Sequence, residues 1–202
     1  MRETTRTATS GYMIKMVLTA LMAAVFCVAG PISIPIGPIP LSLMTLLLFM
    51  SIYILGYRYA LVACLLYLLL GLAGLPVFTG FQGGFGKLVG PTGGYLIGYL
   101  PMVAIAGLFI AMPSREKENG SETEPKKRSI WMRRVWELIG MIVATAVLYV
   151  LGTTWFVIST GTPVGAALLL CVVPFLPGDL IKMVIAVSVG PEIKKRIIRP
   201  NS

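Results

Sequence analysis

Asp179 is the only aspartate in the 202-residue chain, and Lys182 follows it three residues later within an apolar stretch. The run reads Phe175-Leu176-Pro177-Gly178-Asp179-Leu180-Ile181-Lys182-Met183-Val184, and apolar sequence continues beyond it. An ionised side chain at a bilayer centre costs roughly 2.5–3.5 kcal/mol on insertion scales. Residues i and i+3 share a helix face, so the two charges can meet each other or converge on one partner. Charges carried at that cost mark a ligand or ion pathway, with a packing salt bridge as the alternative. Gln82, the only glutamine, stands in the glycine-rich run Gly80-Phe81-Gln82-Gly83-Gly84-Phe85-Gly86-Lys87. Its carboxamide donates and accepts at once. Glycines here let backbone approach a ligand closely, the competing reading being a plain inter-helix loop. A phosphate loop is excluded, because Gly86-Lys87 is followed by Leu88 and the required first glycine is Phe81.

The elements that hold these residues are set by composition. The chain is 56% hydrophobic and 12% charged, with a mean hydropathy of +0.87, whereas charged residues usually make up about a quarter of a soluble domain. This is an all-α integral membrane protein. There is no histidine, which removes the usual zinc sites, Ser-His triads and His proton relays. Cys27, Cys64 and Cys171 lie far apart in apolar runs, without metal-ligand spacing, and are small buried hydrophobes. No metal or cofactor is expected.

Apolar runs bounded by Pro, Gly or charge predict six transmembrane helices, over about 13–29, 41–57, 59–75, 92–112, 131–158 and 177–197. A single domain covers 1–202, with 113–130 a charged, solvated cytoplasmic loop. Fifteen of the seventeen basic residues fall on one side of that arrangement; Lys182 is intramembrane, leaving Lys87 on the other. The positive-inside rule therefore puts both termini in the cytoplasm. The net charge of +9 is topological, with lipid headgroups as possible contacts, and is not a nucleic-acid surface. Residues 163–176 are apolar but rise only about 21 Å as a helix, short of the ~30 Å hydrocarbon core. They are read as a re-entrant or surface segment before the last helix, the rival being one long helix kinked at Pro174 and Pro177. In the re-entrant case Asp179 and Lys182 lie near the outer side, in a pocket open to the exterior. A cleavable signal peptide ending near Ala29 is disfavoured by the length of the span and by the lack of a small-x-small site.

Tyr95 and Tyr99 open the fourth span at an outer interface, where an aromatic belt is the default reading. Trp131 and Trp136 stand at the inner one. Ala20 and Ala24 share a face of the first helix as a small-xxx-small pair, which admits a neighbouring helix inside or outside the subunit. Enzyme classes find little support. An intramembrane aspartyl protease needs a second catalytic carboxylate, and a phosphatidyltransferase needs several that bind metal. Glu137 is read as a charge at the cytoplasmic interface.

Four segments, Gly37-Pro-Ile-Pro-Leu-Ser-Leu-Met-Thr45, Gly74-Leu-Pro-Val-Phe78, Gly90-Pro-Thr-Gly-Gly-Tyr95 and Pro174-Phe-Leu-Pro-Gly-Asp-Leu-Ile-Lys182, together resemble the BioY family. BioY proteins are the biotin-binding S components of energy-coupling-factor (ECF) transporters. The resemblance implies high-affinity biotin capture from outside by a six-helix subunit in the cytoplasmic membrane. Its implied partners are a transmembrane T component and two ATPase subunits, beside which it topples to deliver its ligand. It also implies that Asp179 and Lys182 are ligand residues, that the loop with Gln82, Gly83 and Gly84 covers the pocket, and that Ala20 and Ala24 contact the T component. On this reading Asp179 accepts from the ureido N–H groups, Tyr95 walls the bicyclic ring and Gln82 adds polar contacts. Lys182 either pairs with the ligand carboxylate or holds Asp179 ionised. The chain departs from the family at Met44, where many relatives carry glutamine. An S component for another small vitamin is the alternative.

Overall fold

The computed structural model describes residues 3–34, 41–115 and 127–198. Helices α1 (Glu3–Ala29), α2 (Met44–Leu55), α3 (Tyr57–Leu72), α5 (Gly93–Arg115), α6 (Lys127–Thr160) and α8 (Leu176–Ile198) overlap the six apolar runs read as spans, with different ends. Two short helices are added: α4 (Phe85–Val89), not expected inside the glycine-rich stretch, and α7 (Val164–Cys171), within the segment read as re-entrant or surface-lying. Three helices are long and apolar enough to cross a bilayer, and a fourth crossing results if α7 and α8 are one span bent by 47°. The break between them contains Pro174, whereas Pro177 is in the first turn of α8, where no helical N–H is required. α2 and α3 have 12 and 16 residues, so they rise only about 18 and 24 Å.

The charged loop expected over 113–130 is narrower than its composition suggested. α5 continues to Arg115 and α6 begins at Lys127. The remainder of that loop, 116–126, and residues 35–40 of the proline-rich segment lie outside the described residues. On either side of the latter, two-residue strands β1 (Ser33–Ile34) and β2 (Leu41–Ser42) pair antiparallel, with Ser33 opposite Ser42. This small hairpin delivers the chain to α2, and the Ser42 hydroxyl accepts from the Met44 N–H at 3.0 Å.

α5 and α6 form the most extensive helix interface, followed by α2 against α8. The α5–α6 contact interlocks in both directions. Trp155 of α6 lies on Gly94, and Tyr95 of α5 lies on Gly152, so a Cβ at either glycine would strike the opposing side chain. At the other end of α6, Glu137 is only 1% exposed. Its carboxylate accepts from Tyr53 of α2 at 2.8 Å and from Arg133 at 2.9 Å. The interface charge read from the sequence is therefore a buried clasp between helices. Tyr53 in turn packs on Gly190 of α8. Ala20 and Ala24 are exposed, turned away from the face of α1 that buries Thr19, Ala23 and Phe26.

Candidate functional site

The first turn of α8 carries Asp179, whose backbone N–H bonds Phe175 O at 2.9 Å. One turn later, Lys182 turns back on the same face, its Nζ 2.8 Å from Asp179 Oδ1. Both residues are enclosed, at 6% and 7% exposure. The ammonium also donates to Ser42 O at 2.7 Å and to Thr45 Oγ1 at 3.2 Å. The Thr45 hydroxyl passes its own proton to Asp179 Oδ1 at 3.2 Å, and Tyr149 of α6 donates to Oδ2 at 2.5 Å.

Counting donors and acceptors defines what this cluster can still do. An ammonium has three N–H groups, and Ser42, Thr45 and Asp179 take all three. A carboxylate offers about four acceptor positions. Lys182, Thr45 and Tyr149 occupy three of them, so Asp179 retains one for a donor from outside. The cluster is thus a neutralised pair with residual accepting capacity. Charge-assisted bonds in such a desolvated setting are the stronger kind.

Asp179 and Lys182 line a cavity of about 60 Å³ together with Thr45, Tyr95, Tyr99 and Tyr149. At roughly 10–15 Å³ for each water by this measure, the space holds a handful of waters. Tyr95 is fixed by a 2.8 Å hydrogen bond with Thr153 and by its seat on Gly152. Tyr99 faces the same cavity, one helical turn further along α5. Both therefore line the chamber rather than forming a belt alone. Trp155 does not line it; its Nε1 bonds Gly90 O at 3.0 Å and pins the loop before α5 to α6.

The glycine-rich stretch is assembled elsewhere. Gln82 and Gly83 line a second, wider cavity of about 540 Å³ with Lys87, Gly90 and Thr92. Phe78 and Gln82 bond each other through backbone at 2.8 and 3.3 Å, closing a tight turn in which Gly80 and Phe81 have φ of 77° and 57°. Gly83 abuts the Leu75 carbonyl so closely that a side chain is excluded. The Gly84 N–H bonds Gly71 O at 2.7 Å. Gly84 also has φ of 85°, a conformation that favours glycine, so the loop's own backbone accounts for both glycines. The loop and the Asp179 chamber meet at the start of α5, where Thr92 lines one cavity and Tyr95 the other.

Tyr149, Thr45 and Ser42 completed the cluster without being expected as contacts. Thr45 lies in one of the family-like segments, and a tyrosine in a lipid-length helix is at most a weak signal. The tyrosine only becomes informative once α6 is packed beside α8.

Comparison with known proteins adds the lineage. A biotin transporter BioY of Thermotoga maritima is 35% identical over 182 residues, which is 90% of this chain and 96% of that protein. Biotin transporter BioY2 of Lactococcus lactis is 33% identical, covering 91% of this chain and 92% of its own length. A crystal structure of the S-component for biotin from an ECF-type ABC transporter superposes with a TM-score of 0.75 at 25% identity, covering 93% of this chain and 94% of that one. With apolar helices throughout, the chain is a multi-pass membrane protein of the cell membrane. The family model for BioY matches residues 2–199, and the chain belongs to the BioY family.

Proposed function

We propose that this protein captures biotin with high affinity and takes it up across the cytoplasmic membrane, as the substrate-specific subunit of an ATP-driven ECF transporter. The observation that carries the reading is the buried Asp179 carboxylate, held by Lys182, Thr45 and Tyr149 with one acceptor position unused. A ureido N–H is a donor suited to that position. The aromatic walls Tyr95 and Tyr99 suit the bicyclic ring. Lys182, with its protons taken by protein acceptors, pairs with Asp179 rather than reaching for the ligand. The loop of Gln82, Gly83 and Gly84 is the mobile cover in this reading.

Six spans with both termini cytoplasmic complete the proposal, α2 and α3 crossing as short helices and α7 entering from the outer side. Lipid surrounds the subunit. Its partners are a T component docked on the exposed Ala20–Ala24 face and two ATPase subunits. Isothermal titration of purified protein with biotin tests the reading, with Asp179→Asn alongside. One-site binding that the substitution weakens by about a hundredfold is expected, in line with loss of a desolvated charged acceptor. Wild-type protein that ignores biotin but binds another vitamin would redirect the assignment to that ligand.

A further inference from the structure

Biotin carries a carboxylate as well as a ureido ring, and the Asp179 cluster offers that anion nothing. All three N–H groups of Lys182 are spent on Ser42, Thr45 and Asp179, and Asp179 itself repels negative charge. A second cation is needed within reach of the ring site. Between Arg58 and Arg115 the chain contains one basic residue, Lys87.

Lys87 sits on α4, which packs against α5, and it lines the 540 Å³ cavity beside Gln82 and Thr92. Among the described residues, no carboxylate lies within ion-pair distance of it. Partial burial strips water from the ammonium and lowers its pKa, so an arriving anion meets a cation that is poorly solvated. The two cavities lie at the same end of α5: Thr92, just before the helix, lines the Lys87 cavity, and Tyr95, three residues on, lines the Asp179 chamber. These two lining residues stand within about one helical turn of each other, so one elongated ligand can touch both cavities.

We propose that Lys87 receives the carboxylate of the ligand, with Gln82 beside it, while the ring lies in the Asp179 chamber and the tail passes the start of α5. This extends the biotin reading and rests on it. Recognition is then divided between two ends of one molecule: a fixed acceptor site for the ring and a basic loop for the tail. Lys182 is excluded from carboxylate binding by its own hydrogen bonds.

The test compares biotin with its methyl ester, which keeps the ring and loses the charge, on detergent-purified full-length protein. Wild type should prefer biotin over the ester by about ten- to a hundredfold, the range of one charge-assisted bond. Lys87→Met should weaken biotin by that factor, leave the ester unchanged and so erase the preference; Lys87→Arg should retain most of it. Unchanged ester binding also shows that Lys87→Met is folded. A wild type that binds both ligands equally overturns the assignment. So does a Lys87→Met variant that keeps the wild-type preference, as it would if Lys87 only met lipid phosphate, or one that loses both ligands alike. Wild type that binds neither would instead sink the biotin reading itself.

Discussion

A buried carboxylate and a buried ammonium stabilise a membrane protein only while each keeps the other. Removing one member of such a pair leaves an uncompensated charge and costs about 3–5 kcal/mol, whereas replacing both with apolar groups is close to neutral. Lys182→Met alone should therefore lower the melting temperature of the detergent-solubilised protein more than Lys182→Met with Asp179→Leu, although both abolish tight biotin binding. Thermal unfolding of the single and double variants checks this, and equal losses would mean that the pair is not energetically coupled. Tyr149→Phe probes a different term. The charged pair survives, and the Oδ2 acceptor loses its donor, so affinity for biotin should fall about tenfold and the melting temperature should drop, by less than for Lys182→Met. At this scale the legible residues were those that break a rule: a lone aspartate and a lysine in lipid-length sequence. Their partners obey every rule. Ser42 and Thr45 lie 140 and 134 positions from Lys182 and Asp179, so no local period links them. A hydroxyl in a helix normally bonds its own backbone.

Helix positions were legible because lipid demands long apolar runs, and all six expected runs are helical. Their ends were less so. α2 stops at Leu55 because Gly56 takes φ of 81°, a conformation that favours glycine. α5 and α6 persist into charged sequence, where solubility and helicity are compatible. α4 and α7 are too short to show a reliable apolar period. What no hydropathy pattern reveals is which glycine admits which ring. Tyr95 reaches the chamber only because Gly152 leaves room for it on α6. Gly152→Ala should push that ring aside, costing about 1–3 kcal/mol as overpacking does and weakening biotin in parallel. Gly165→Ala is the matched control, since a Cβ there meets open space and should leave both quantities unchanged. Titration and thermal melts of the two variants decide the matter; a Gly152→Ala variant that behaves like the control would remove Tyr95 from the binding wall.

Across the whole subunit, polar clasps join α2 to α6 and α8 at opposite ends. The Asp179 cluster draws on all three helices, while Glu137 and Tyr53 tie α6 to α2 at the other end, with Tyr53 seated on Gly190 of α8. Such a body is braced against splaying along its length. Under the function proposed above, the ligand would cross the membrane by movement of the subunit as a unit, turned by a partner and driven by ATP hydrolysis elsewhere. The partner needs a surface, and α1 supplies a candidate: Ala20 and Ala24 are exposed one turn apart, flanked by the exposed larger side chains Val17, Leu21 and Val28. Small residues let a second helix approach closely, gaining contact that lipid tails cannot reproduce. Lipid alone would tolerate leucine there equally well, and this difference separates docking from mere exposure. Ala20→Leu with Ala24→Leu should leave biotin titration of the isolated subunit unchanged, because neither side chain lines the chamber. In cells that supply the T component and ATPases, the same pair should abolish co-purification of the complex and cut biotin uptake at least tenfold. Uptake at the wild-type rate would place the docking surface on another helix, and α1 would then face only lipid.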